Sequence, residues 1–194
     1  MRKIPQEYDN AFDNLLIEIS DKTAPYAYNL GMTPNFITTL SNISCIITVL
    51  LLFKAQYYWA AFFVILSYYF DCMDGHLARK YNMTTYFGDL YDHVSDVSKI
   101  ILIFSTMYYI NSQKFLKVIP ILLLFLIFAF IHLGCQELLY DSDESLTLQY
   151  NKLLCPVKNP KNKKEIVDTL QSTKYFGCGT FFLALAISII YYDY

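Results

Sequence analysis

The stretch Asp71-Cys72-Met73-Asp74-Gly75-His76-Leu77-Ala78-Arg79, followed after eight residues by Gly88-x-x-x-Asp92-x-x-x-Asp96, decides how this chain is read. At about 100° per residue, Asp71, Asp74, Gly75 and Ala78 fall within roughly a third of a helix circumference. Gly88, Asp92 and Asp96 line up in the same way along one stripe of the next helix. Two consecutive helices sharing a short connection therefore place four carboxylates at one level.

Outward from that stretch the chain is apolar in blocks. Runs over 37–53, 57–70, 88–110, 115–135 and 173–192 each approach the roughly 20 residues that a helix needs to cross a bilayer core. Hydrophobic residues make up 55% of the 194 and charged residues 16%, against roughly 25% charged in soluble proteins. That little charge cannot clothe a water-soluble surface. The expectation is one all-α integral membrane domain over 1–194, a bundle of five to six transmembrane helices. An interfacial amphipathic helix over 8–22 precedes it. There Phe12, Leu15, Leu16 and Ile19 recur at helical spacing, and Asp9 or Asn10 supplies the cap. Glu7, Asp9, Asp13, Glu18 and Asp21 exclude a signal-peptide core in this region.

The polar segment 136–173 reads as a solvent-facing loop with a short helix near 164–170. The positive-inside rule orients the bundle. Arg2, Lys3, Lys22, Arg79, Lys80 and six lysines within 152–174 fall on one side, and Lys54, Lys114 and Lys117 on the other. The aspartate-rich junction and the 136–173 loop are thus expected to face the cytosol, with the C-terminus outside. A net charge of −2 gives no field for nucleic acid. Cys45, Cys72, Cys135, Cys155 and Cys178 are scattered without a CxxC pair, and read as neither a disulfide framework nor a zinc site.

Four neighbouring carboxylates in a low-dielectric setting would be driven to protonate unless cations neutralise them. Oxygen-only ligands suit one or two hard ions such as Mg²⁺ or Mn²⁺, and Mg²⁺ keeps places for substrate phosphates. Gly75, Ala78 and Gly88 leave the helix faces bare beside these carboxylates, open to a close-fitting ligand. Arg79, one of the two arginines, is placed to neutralise a phosphate or buttress an aspartate. Asp89 reads as a first-turn charge that favours the helix dipole. His93 reads either as an interfacial polar residue or as an aid to acceptor binding or proton transfer. His76 and His132 read as structural, and Lys99 as snorkelling to the interface, with a contact to the acceptor as the alternative. A cation-coupled transporter is the rival class, but it needs neither the Gly/Ala clearing nor the arginine.

The pattern D-x-x-D-G-x-x-A-R-x₈-G-x-x-x-D-x-x-x-D resembles the signature of the CDP-alcohol phosphotransferase family at every specified position. Thr33-Pro34-Asn35-x-x-Thr38 is similar to the lead-in to that family's first transmembrane helix, so the resemblance covers about 33–110. It implies that Asp71, Asp74, Asp92 and Asp96 bind metal, with two Mg²⁺ or Mn²⁺ ions as the cofactor. It implies catalytic roles for Asp92 and Asp96, with Asp96 as the base. Gly75, Ala78, Arg79 and Gly88 would line the CMP pocket. The implied reaction is attack of an acceptor hydroxyl on a CDP-alcohol, with release of CMP. The implied partners are a CDP-diacylglycerol or CDP-aminoalcohol donor, a lipid or polyol acceptor, the bilayer and a second copy of the chain. Five counted spans fall one short of the six typical of the family. Sparse cations beyond Arg79 favour a neutral or zwitterionic acceptor over an alcohol phosphate, with Lys99 and Lys174 as the exceptions.

Overall fold

A computed structural model describes residues 4–140 and 148–194 of the chain. The described residues form seven α-helices and no strand: α1 (Ala11–Asn29), α2 (Pro34–Phe53), α3 (Tyr57–Lys80), α4 (Tyr86–Ile110), α5 (Ser112–Tyr140), α6 (Lys163–Thr173) and α7 (Cys178–Ile190). Residues 141–147, part of the expected loop, and residues 1–3, with Arg2 and Lys3, lie outside the described residues.

Local signals set the helix starts. The Asn10 side chain accepts from the Phe12 amide and caps α1. Thr33 caps α2 ahead of Pro34, whose missing N–H is harmless at the first helical position. Thr85 accepts from the Gly88 amide and caps α4. The α3–α4 connection needs only one left-handed residue, Asn82, a type that tolerates this backbone.

The most extensive helix pairing is α2 on α3. Small hydroxyl residues allow it. Ser41 donates to the Ser67 carbonyl at 2.8 Å, and Ser67 donates back to the Ser41 carbonyl at 2.9 Å. Such reciprocal bonds suit helices packed in an apolar medium, where small residues let backbones approach. α3 also packs on α1 and α7, α4 on α2, and α5 on α7 and α6. Cys45, Leu52, Val64, Ile103, Met107, Leu122, Phe181 and Leu185 form the main core. Outside it, Ile46, Leu50, Trp59, Ile101, Leu124 and Ile127 point outward and stay more than half exposed. So much outward apolar surface is a membrane-facing feature.

Three stretches are long and apolar enough to cross a membrane: α2, Ser112–Leu139 of α5, and Lys163–Asp193. Five had been expected. α3 and α4 fall short of that standard because each devotes one end to the charged motif. The last expected span, 173–192, is divided: a 3-10 turn at Lys174–Phe176 and then Gly177 precede α7, which has 13 residues. α1 is longer than the expected 8–22. It continues through Pro25 because Ala24 and Ala27 pack on Ile37, Met73 and Leu77. α5 likewise runs five residues past the expected end at 135.

The reading of the cysteines is corrected. Cys135 and Cys155 form a disulfide, their Cα atoms 4.8 Å apart. Scattered in sequence, they meet because the 3-10 segment Leu148–Leu154 folds back along the end of α5. Gly134 permits that approach: a Cβ there would collide with the Asn151 carbonyl oxygen, a backbone atom that cannot swing away. Gly134→Ala is therefore expected to displace this segment and lower thermal stability in detergent by about 1–3 kcal/mol, the usual range for overpacking. An unchanged melting temperature would show that the segment has room to spare.

Candidate functional site

The last two turns of α3 and the first three of α4 meet the start of α2 at one end of the bundle. α1 crosses the same end. Its N-terminus meets the start of α7, where Asn10 donates to the Lys174 carbonyl and to Thr180 Oγ1, both at 2.8 Å. Its C-terminus meets the end of α3, where Tyr28 stacks on Tyr81 with ring centroids 3.9 Å apart. Together these elements enclose a cavity of about 570 Å³.

The four aspartates all line this cavity. Asp71, Asp92 and Asp96 each offer a carboxylate oxygen, and those oxygens lie within 4.8 Å of one another. Ligands held 2.0–2.6 Å from a hard cation are themselves up to roughly 4–5 Å apart, so the three are spaced for one ion. Asp92 Oδ1 is buried and has no hydrogen-bond partner among the described residues. A buried carboxylate oxygen left in that state is costly unless something charged completes it. The donor set therefore fits Mg²⁺ or Mn²⁺.

Asp74 stands slightly apart from that trio. It is buried, and its Oδ2 accepts from Thr38 Oγ1 at 2.5 Å. Thr38, four residues after Pro34, thus orients a carboxylate from α2; the lead-in motif contained it, but its task was not visible there. Gly75 and Gly88 serve as clearings. The Arg79 guanidinium folds back over Gly75, where a Cβ would sit 3.1 Å from Nη1. A Cβ on Gly88 would press on Asn35 Oδ1 and Thr85 Oγ1, both at 3.0 Å. Ala78 and Arg79 also border the cavity.

Lys99 departs from expectation. It does not snorkel but is buried, with its ammonium donating to Asp71 Oδ1 at 2.7 Å and to Ser41 Oγ at 2.9 Å. Its Nζ also lies 2.8 Å from Asp96 Oδ1. The i,i+3 spacing of Asp96 and Lys99 was a readable sign, but the turn that carries Lys99 inward rather than to the interface is set by packing. His93 borders the cavity, with its Nδ1 2.6 Å from the Asp89 carbonyl oxygen. Asp89 lies in the first turn of α4, as expected.

The far end of the cavity holds polar residues that the sequence did not point to. Tyr68 donates to Asp13 Oδ1 at 2.6 Å. A Cβ on Gly179 would collide with the same carboxylate, so the start of α7 is shaped around Asp13. Burial pushes the Asp13 carboxyl up to about 7, against the opposing pull of the Tyr68 hydroxyl. Gln136 donates to His132 Nε2 at 2.8 Å, which leaves His132 Nδ1 to donate to Thr173 Oγ1 at 2.9 Å. This ties α5 to the end of α6.

Residues 31–149 match a family model described as CDP-alcohol phosphatidyltransferase. No curated protein and no solved structure matches the chain.

The Asp13 shift has a sign. A carboxyl raised from 3.8 to about 7 contributes stability that is complete below its unfolded value and lost as pH rises through about 7. Melting temperature in detergent is expected to fall between about pH 4 and pH 7 by more in the wild type than in Asp13→Asn. Identical slopes would remove Asp13 as the cause.

Proposed function

The chain belongs to the CDP-alcohol phosphatidyltransferase family, and from that premise we propose that it transfers a substituted phosphate from a CDP-alcohol to an acceptor hydroxyl and releases CMP. Membership makes it a transferase with a CDP-alcohol donor and an alcohol acceptor in a lipid setting. The observation that carries the finer reading is the unpartnered Asp92 Oδ1 beside the Asp71–Asp96 pair, in a cavity wall kept bare by Gly75, Ala78 and Gly88.

In this reading Asp71, Asp74, Asp92 and Asp96 hold one or two Mg²⁺ or Mn²⁺ ions. Bound divalent ions would polarise the donor's phosphates and stabilise charge on the departing CMP. The residues do the remaining work. Gly75, Ala78 and Gly88 admit the cytidine portion against the helix backbones. Arg79, folded over Gly75, supplies a guanidinium to a phosphate oxygen. Thr38 fixes the rotamer of Asp74. The acceptor hydroxyl oxygen forms a bond to the β-phosphorus, the bond to the bridging oxygen breaks, and CMP leaves with that electron pair. Asp96 accepts the hydroxyl proton.

α2, α3, α4, α5 and the α6–α7 region are read as membrane-crossing, with α1 lying along the interface. The lysine distribution supports placing the site at the cytosolic face. The Cys135–Cys155 disulfide lies on that same side; a reducing compartment would keep the pair as two thiols.

Purified protein in detergent with Mg²⁺ tests the reading. One set of reactions contains CDP-diacylglycerol with inositol, serine or glycerol 3-phosphate. The other contains CDP-choline or CDP-ethanolamine with diacylglycerol. CMP release in at least one arm, without any membrane gradient, is expected, and chelation should abolish it. Thr38→Val should cost about 10–100-fold, the usual effect of removing a partner that orients a metal ligand, and Asp92→Asn should cost more. Folded protein that releases no CMP in any arm, or an Asp92→Asn variant with near-normal turnover, would overturn the reading.

A further inference from the structure

Lys99 is a buried cation set against two of the aspartate trio, Asp71 and Asp96. An ammonium has three N–H donors. Here Lys99 donates to Asp71 Oδ1 at 2.7 Å and to Ser41 Oγ at 2.9 Å, and Asp96 Oδ1 lies 2.8 Å from the same nitrogen as an ion pair. Ser41 is itself held, since its hydroxyl donates to the Ser67 carbonyl in the α2–α3 seam. With Asp71, Asp96 and Ser41 all within 2.9 Å, the Lys99 ammonium is turned to the walls of the site itself. It grips α3 through Asp71, lies on α4 three residues from Asp96, and is anchored to α2 through Ser41. These are the three helices whose ends make the site.

We propose that Lys99 is a fixed internal counter-ion that holds Asp71 and Asp96 together when no divalent ion is bound and weakens the binding of the ion that follows. The inference rests on the metal-binding reading above and adds to it a reason why the site survives without metal. Four carboxylates with no cation would repel one another and splay the ends of α3 and α4. Lys99 neutralises one charge and contacts one oxygen on each of two carboxylates. The orphaned Asp92 Oδ1 is not served by it. A positive charge fixed this close to two ligands also opposes an incoming cation. The site therefore keeps its shape between turnovers and exchanges ions readily.

The probe is Mn²⁺ alone, with binding followed by electron paramagnetic resonance and melting temperature measured with and without a chelator. Lys99→Gln keeps amide donors for the carboxylates but removes the charge, and Lys99→Met removes both. In Lys99→Gln the Mn²⁺ dissociation constant is expected to fall by about tenfold or more once the repelling charge is gone, and the rise in melting temperature on adding Mn²⁺ should exceed that of the wild type. Wild type should stay folded in chelator. A lysine with a merely structural role would act the other way, since its loss would loosen the ligands and weaken binding. Unchanged or weaker Mn²⁺ binding in Lys99→Gln would overturn the proposal. Should neither variant fold, wild-type unfolding in chelator would overturn it, and a fully folded chelated wild type would support it. Wild type that binds no Mn²⁺ at all would instead sink the metal reading beneath it.

Discussion

Like charges crowded into one end of an apolar bundle are the constraint on which the rest of this structure depends. Asp71, Asp74, Asp92 and Asp96 come from two helices and share one cavity. Nothing about helix packing calls for them, and burial alone would drive them apart or strip their charge. Each neighbour answers that pressure in its own way. Thr38 gives Asp74 a hydrogen bond from α2, Lys99 bridges Asp71 and Asp96, and Asp92 keeps an oxygen open. The hydroxyl seam between α2 and α3 serves the same end, because it brings Ser41 close enough to hold the lysine.

The acidic motif was legible because it depends on short-range geometry alone. A period of 3.6 residues and a brief connection are enough to put Asp71, Asp92 and Asp96 side by side, and the structure has them within 4.8 Å. The cap of α1 at Asn10 was legible in the same local way, whereas the caps at Thr33 and Thr85 were not read and α4 starts two residues earlier than expected. What else was missed depends on contacts between distant segments. Whether Lys99 turns outward or inward is decided by how α4 sits on α2 and α3. Cys135 and Cys155 find each other only because a polar segment doubles back along α5. The break at Gly177 did have a sign, the Gly177-Cys178-Gly179 run, but the surrounding hydropathy concealed it. The length of α1 was missed for the same reason, since packing of Ala24 and Ala27 carries it past Pro25.

The cavity has two ends of different character. Near α3 and α4 it is acidic and lined by glycine and alanine. Near α1, α5 and α7 it is built from Asp13, Tyr68, His132 and Gln136, side chains already satisfied by one another or by the helix ends around them. The first end carries the motif residues, and the second is shaped by residues outside the motif.

The clasp between Asn10 and the start of α7 spans 164 residues to Lys174 and 170 to Thr180. During synthesis α1 emerges long before the segment that receives it, so it must wait while the intervening helices are made. Only when α7 arrives can Asn10 and Asp13 be seated. The acidic ends of α3 and α4 are thus in place before the wall opposite them exists, and the chamber closes as a late step of assembly.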